Sequence, residues 1–345
     1  MSIGKALPVC PPADAGRAPK LREQLDKWTS CPALAELVRL FGEEIPASTD
    51  LGNRLEWLEQ FSERWDFRRM ARERTTDSPL GSQDAGGSSR WEISETGLSA
   101  NDGVRVVELA DQLGLVSNAP PIRRNADFLL ILGGARLSNL LRPQYAAELI
   151  QSSAASPRHI VLLGGSRPVM DTERDATDSY APQADTEFDL LTQGAASAFN
   201  FDNADRDEEV HVDAESNNAN WQVWRFNPES TDLGVPITAI EAPSTDPTTR
   251  RATTADSYAF FAMHLHLWPK AACLLVTSQI YVPYQHLEGV RSLAVPFDLE
   301  LETVGFPPHW QAELQGMQGP VNYLQETRST ILSARRLYAE HLSRV

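Results

Sequence analysis

The sequence predicts an α/β fold: a doubly wound, mainly parallel, Rossmann-like sheet with an N-terminal helical region and a C-terminal helix. Three observations carry this. Between residues 127 and 305, short apolar runs alternate with segments of helical periodicity, the pattern of βαβ crossovers. Two of the runs, DFLLILGG at 127–134 and HIVLLGG at 159–165, are apolar without alternation, as in strands buried on both faces, and each ends in paired glycines. Ahead of residue 121, apolar residues recur only at helical spacing.

Taken in order, residues 1–19 are rich in Pro and Ala and read as loose. Leu21, Leu25, Trp28, Leu34, Leu37 and Leu40 recur at near-helical spacing, with Pro32 dividing the stretch into two helices. Asp50 is the expected N-cap of a helix carrying Leu51, Leu55, Leu58 and Phe61 on one stripe. TTDSPLGSQDAGGSSR at 75–90 reads as a loop. Ser99 or Asn101 then caps a helix with Val106, Leu109, Ala110 and Leu113 on its apolar side. Core strands follow at 127–132, 159–163, 236–241, 273–278 and 299–304, with helices at 138–152, 187–199, 253–266 and 284–294. The acidic, Asn-rich stretch 202–220 reads as an insertion-like loop, and WQVWRF at 221–226 as an edge strand or half of a hairpin with 210–212. A long amphipathic helix covers 320–343. The expected organisation is a tail and helical region over 1–120, a Rossmann-like domain over 121–310, and a C-terminal helix over 311–345 that packs on the core.

Charge narrows the function classes. A net charge of −16 argues against a general nucleic-acid binder, which needs cations to replace phosphate counterions, and against an anionic membrane surface. Cys10, Cys31 and Cys273 are few and far apart, without a CxxC pair, which fits a reducing compartment. The most apolar stretches, 128–132 and 273–277, are far shorter than the roughly 18 residues of a membrane span. The expectation is a cytoplasmic protein whose partner is an anionic small molecule, with a homodimer left open. His264 and His266 are two apart, which on a helix points them to different faces, and the acidic run 202–209 lacks the EF-hand glycine, so no metal site is expected.

In a parallel sheet, ligands bind beyond the carboxyl ends of the strands. Four such ends carry suitable residues: Gly133, Gly134 and Ala135 with Arg136; Gly164, Gly165, Ser166 and Arg167; Glu241 with Ser244; and Thr277, Ser278 and Gln279. Glycines let a ligand approach the backbone, and helix N-termini offer N–H groups to an anion. Arg142, Arg250 and Arg251 lie beside these turns, and a guanidinium fork suits phosphate or carboxylate. Neither GxGxxG nor GxxxxGK[ST] occurs, so each Gly-Gly pair alone fits a tight packing turn as well as a ligand cradle. Glu241, Asp256 and Glu173 are the acids expected to move protons. Each has a plainer alternative: a loop cap for Glu241, a first-turn acid beside Thr254 for Asp256, and a solvated acid for Glu173 in a lid-length segment, 170–184.

Over 127–305 the chain resembles the YdcF/SanA/ElyC-like family. The matching residues are Leu132-Gly133-Gly134, Leu163-Gly164-Gly165, Glu173, Glu241, Thr253-Thr254-Ala255-Asp256-Ser257 in place of that family's Asn-Thr-x-Glu-Asn, and Leu275-Val276-Thr277-Ser278. That family's close His–Arg pair after the last motif strand is not kept: His286 is followed only by Arg291. The resemblance implies a Rossmann-like domain with a ligand at these positions and S-adenosylmethionine as one candidate cofactor. The leading expectation is an enzyme that binds a nucleotide-like or other anionic small molecule and works by carboxylate acid–base chemistry without a metal. The alternatives are an S-adenosylmethionine-dependent methyltransferase and a non-catalytic ligand-binding or scaffold protein.

Overall fold

A computed structural model describes residues 7, 9–12, 14, 16–47, 50–67, 98–231, 233–310 and 318–344. Among the described residues, the N-terminal region forms the helices α1 (Arg17–Thr29), α2 (Pro32–Arg39), α3 (Leu51–Phe61) and α4 (Ala100–Gln112). Pro32 occupies the first turn of α2, where a missing N–H costs no helical bond. Asp50 accepts from Asn53 N at 3.1 Å, and Ser99, rather than Asn101, accepts from Asp102 N at 3.1 Å. Both caps satisfy an orphan donor of the first turn. The loop expected at 75–90 lies outside the described residues.

Seven strands follow among the described residues: β1 (Asn125–Leu132), β2 (Ser156–Gly164), β3 (Arg206–His211), β4 (Trp221–Phe226), β5 (Ile237–Glu241), β6 (Ala272–Ser278) and β7 (Glu300–Phe306). They lie in the order β3-β4-β5-β2-β1-β6-β7. β5, β2, β1, β6 and β7 are parallel; on one side β4 pairs antiparallel with β5, and β3 antiparallel with β4. The chain winds outward from β1 in both directions, so the order reverses between β1 and β6, where crevices open in such sheets.

The double burial of the apolar runs has a direct cause. In β1, Leu129 and Ile131 pack with helices α5 (Ser138–Gln151) and α7 (Glu187–Phe199) on one face. Phe128, Leu130 and Leu132 pack on the other face with the N-terminal helices and with α8 (Thr254–His264) and α9 (Val282–Gly289). Leu34, Leu55 and Leu109 of the N-terminal helices share that core, as do Leu324 and Ile331 of the last helix, α10 (Pro320–Leu337). The N-terminal helices thus cover one face of the sheet. A short helix, α6 (Asp171–Thr177), follows β2.

Three elements differ from the sequence expectation. α9 begins at Val282 rather than 284, because Pro283 is tolerated in a first turn, and it continues as a π-helical turn over Val290–Ala294. β3 occupies Arg206–His211 within the stretch read mostly as loop, hydrogen-bonded along β4. Segment 170–184 contains α6 and is folded onto the molecule, with Val169, Ala181, Ala184 and Leu190 in a small cluster of their own.

One contact fixes how α5 and α7 sit over the strand ends. A Cβ on Gly194 of α7 would overlap the Asn139 carbonyl oxygen of α5. Pro143, one turn on, lacks the N–H that would bond this carbonyl in a regular helix. The glycine therefore lets α7 close directly onto the exposed carbonyl. No described helix is long and apolar enough to cross a membrane.

Candidate functional site

The rim begins at the end of β1. Gly133 N donates to Leu163 O at 2.7 Å, and a Cβ on Gly133 would stand 2.9 Å from that oxygen. Gly134 N donates to Asn139 Oδ1 at 2.9 Å, and the Asn139 amide donates back to Gly134 O. A Cβ on Gly134 would stand 2.9 Å from Arg142 Nη1. Arg142 is buried; it donates to Leu132 O at 2.7 Å and to Gly133 O, and reaches Ser278 Oγ at 3.3 and 3.4 Å. Gly133, Gly134, Arg142 and Ser278 thus tie the ends of β1 and β6 together. The Gly133 and Gly134 N–H groups expected to cradle an anion already have protein acceptors. Ala135 O accepts from Ser138 N at 3.2 Å. Arg136 sits at φ 53°, and its carbonyl accepts from Tyr180 Oη at 3.1 Å. Gln279 Nε2 donates to Gly114 O at 2.8 Å, fastening the helical layer to the rim. Thr277 Oγ1 is buried without a partner among the described residues.

The end of β2 is built differently. A Cβ on Gly164 would stand 2.8 Å from Phe188 Cδ2, so glycine allows α7 to approach. Gly165 and Ser166 are half-buried. Arg167 donates to Glu187 Oε1 from Nε at 2.8 Å and to Glu173 Oε1 from Nη2 at 2.9 Å; its Nη1 lies 2.8 Å from Glu173 Oε2. Glu173 also accepts from Met170 N at 3.0 Å and is fully buried, so the solvated alternative does not hold for it. Glu187 Oε2 lies 3.5 Å from where a Gly165 Cβ would be. Burial raises the Glu187 pKa above its usual 4.5, with Arg167 pulling the other way.

At the end of β5, Glu241 stands opposite Gly164 on one side and Gln222 on the other. It is 7% exposed, and its Oε2 accepts from Gln222 Nε2 at 2.6 Å. Burial raises its pKa, opposed by the Gln222 hydrogen bond, and the Asp189 charge adds to the rise. The following loop is bonded internally and to residues 216–218, with Ser244 N donating to Asn218 O at 2.8 Å and Ser216 Oγ and Asn218 Nδ2 each donating to Pro247 O at 2.9 Å. Ser244 Oγ accepts from Asp246 N and Arg250 Nη1. Asp256 accepts from Thr245 N and Oγ1, Thr253 N and Oγ1, and Arg250 Nη1 and Nη2. Its pKa falls below 3.8: the Arg250 bond leads, Thr245 and Thr253 follow, and together they outweigh burial, the largest single effect. An ionised carboxylate held by so many donors is a clamp for the start of α8, and a poor base. Thr254 is half-buried beside it; Arg251 is exposed, and its guanidinium has no partner among the described residues.

Comparison with known proteins places the chain. Residues 12–114 match the family described as the Rv3785 N-terminal domain. Over 345 residues the chain is 41% identical to the uncharacterized protein Rv3785 of Mycobacterium tuberculosis and the uncharacterized protein Mb3814 of Mycobacterium bovis, a match that takes in 96% of this chain and 94% of each relative. The chain belongs to the Rv3785 family. No solved structure matches it. The N-terminal match ends ahead of β1, so the rim of this Rv3785-family protein lies outside it.

The structure places Glu241 opposite Gly164 and Glu187 beside Gly165, two acids whose pKa values are raised. In both, burial favours the protonated form over the carboxylate. Glu187 was not singled out in the sequence, where it reads only as the start of the helix at 187–199. Asp189 takes the capping role with Thr186, which leaves Glu187 beside the turn. Gln222, Asn139 and Tyr180 were also missed, since nothing in the sequence registers β4 against β5 or folds 168–186 onto the rim. Among the described residues, no three His, Cys, Asp or Glu side chains cluster as a metal site. An open pocket lined by Glu209, Arg225, Phe260, Met263, His264 and His266 lies elsewhere, beside α8.

Proposed function

We propose that this Rv3785-family protein is an enzyme that binds a nucleotide-like or otherwise anionic small molecule above the ends of β2 and β5, with Glu241 as the proton-transfer group. The observation that carries the reading is the Glu241 carboxylate itself. It is nearly buried at a parallel-strand end, its pKa is raised, and among the described residues only Oε2 is anchored, by Gln222. Burial that favours the protonated form brings a carboxyl toward the working range of a general acid or base. Glu187, beside Gly165 and steadied by Arg167, is the second acid in reach of the same crevice. Arg142, Arg167 and Arg250 are committed to internal partners, and the exposed Arg251 is the cation assigned here to meet the anion. The likeness of the Gly-Gly strand ends to the YdcF-like family supports the same location.

The test is native mass spectrometry of freshly purified protein, followed by calorimetry with nucleotides and S-adenosylmethionine. The expected result is a nucleotide-like adduct that Arg251→Ala weakens at least tenfold and Glu241→Gln retains while turnover stops. Adduct binding untouched by Arg251→Ala, or unchanged turnover in Glu241→Gln, refutes the assignment. Protein that binds none of these ligands refutes it as well.

A further inference from the structure

The two edges of the sheet are finished differently. At β7, Val9 bridges to Glu302 and Cys10 N donates to Leu301 O at 2.8 Å, while Ile122 N and Arg123 N bond the Glu302 carboxylate at 2.5 and 3.0 Å. At the other end, β3 has β4 as its one strand neighbour, and no other described segment bridges to it. A strand with one neighbour presents a row of N–H and C=O groups to solvent.

We propose that β3 is the docking edge for an extended basic segment of another protein, which adds to the sheet as a further strand. Charge selects this occupant. Residues 202–215 carry seven Asp and Glu against one Arg. Arg206 is paired with Glu208 at 2.7 Å and Arg225 with Glu209 at 2.9 Å, while Asp207 is exposed with no ion pair among the described residues. A second copy is a poor occupant. Pairing β3 antiparallel with itself about its centre sets Glu208 against Glu209, and like charges directly opposite destabilise a strand pair.

The surface beside the edge accommodates side chains of an added strand. Register puts Asp207, Glu209 and His211 on the same face as Arg225, Val223 and Trp221. There, Phe260 lies 5.3 Å from Trp221 between ring centres and His211 stacks on Trp221 at 5.7 Å. The open pocket of Glu209, Arg225, Phe260, Met263, His264 and His266 adjoins this face, with Met263 59% exposed. Lysine stems of an added strand cover Phe260 and Met263 while their ammonium groups reach Asp207 and Glu209. On the opposite face, an apolar side chain lies against Val210, which is 55% exposed. Main-chain bonds supply affinity in such additions, and the alternate side chains supply selectivity.

The test uses the full-length protein with an acetylated (Lys-Val)4 peptide, read by fluorescence anisotropy and by amide hydrogen exchange. The expected result is saturable, salt-sensitive binding that slows exchange at 206–211. Asp207→Lys, at an exposed position without an ion pair among the described residues, leaves the melting curve in place and weakens binding at least tenfold, and (Glu-Val)4 does not bind. Absence of saturable binding overturns the proposal, as does binding that leaves exchange at 206–211 unchanged. Concentration-dependent dimerisation that protects β3 assigns the edge to a second copy instead, and overturns it too.

Discussion

Replacing Arg167 with Met keeps the apolar stem and removes the cation that pairs with both Glu173 and Glu187. Arg167 meets both oxygens of Glu173, at 2.8 and 2.9 Å, and Glu187 Oε1 at 2.8 Å, with the Glu173 side chain fully buried and that of Glu187 17% exposed. Removing one partner of a buried pair costs about 3–5 kcal/mol, because the other charge is left without compensation. For a chain of this length the entropy of unfolding is about 0.7 kcal/mol/K, so the melting temperature falls by about 4–7 °C. The sign of the pH dependence follows from Glu187, whose pKa burial raises and Arg167 pulls back down. A carboxyl whose folded pKa is raised above its unfolded value contributes most below the unfolded value, about 4.5, and loses that contribution as pH rises. The deficit of Arg167→Met is therefore larger at pH 8 than at pH 5. Adding Glu173→Gln and Glu187→Gln recovers more than half of it. Circular dichroism melts of the wild type and both variants at the two pH values test all three statements. A fall of less than 1 °C at pH 8, or a larger deficit at pH 5, refutes the ion-pair reasoning.

Other consequences are equally direct. Glu241→Gln removes a carboxyl whose raised pKa makes the wild type lose stability as pH climbs above 4.5, so at pH 8 the variant has a urea midpoint equal to or above wild type; a lower one contradicts the burial argument. Asp256→Ala deletes the acceptor of the α8 clamp and costs about 2–4 kcal/mol at pH 7. Because the Asp256 pKa is depressed, its contribution is complete above the unfolded value of 3.8 and fades as pH falls, so the gap to wild type narrows in denaturation series run below that pH. Gly194→Ala forces α7 away from the Asn139 carbonyl and costs about 1–3 kcal/mol, with faster amide exchange at Gly134, which Asn139 holds; an unchanged melt shows that the helices can separate freely.

Much of this protein is legible in its sequence because the signals are local. Asp50 and Ser99 cap helices by bonds that span three residues. Leu129 through Leu132 form a continuous apolar run because both faces of β1 are covered, and that run marks a central parallel strand in any arrangement of its neighbours. The glycine pairs mark strand ends, and Glu241 lies at one of them because strand length and polarity fix where β5 stops. What the tertiary structure alone decided is which of these polar groups remain open. Arg142 is five residues into a helix, and nothing local says that its guanidinium turns back to the Leu132 and Gly133 carbonyls instead of toward a ligand. Arg167, Glu173 and Glu187 are separated in sequence, yet they close into one ion cluster because segment 168–186 folds back, with Pro168 bridging to Thr186. Burial and partner choice depend on distances between elements that are remote along the chain. Composition and periodicity determine the elements and their order, while the packing of α7, β4 and α8 around the strand ends sets which carboxylates are clamped and which keep a raised pKa.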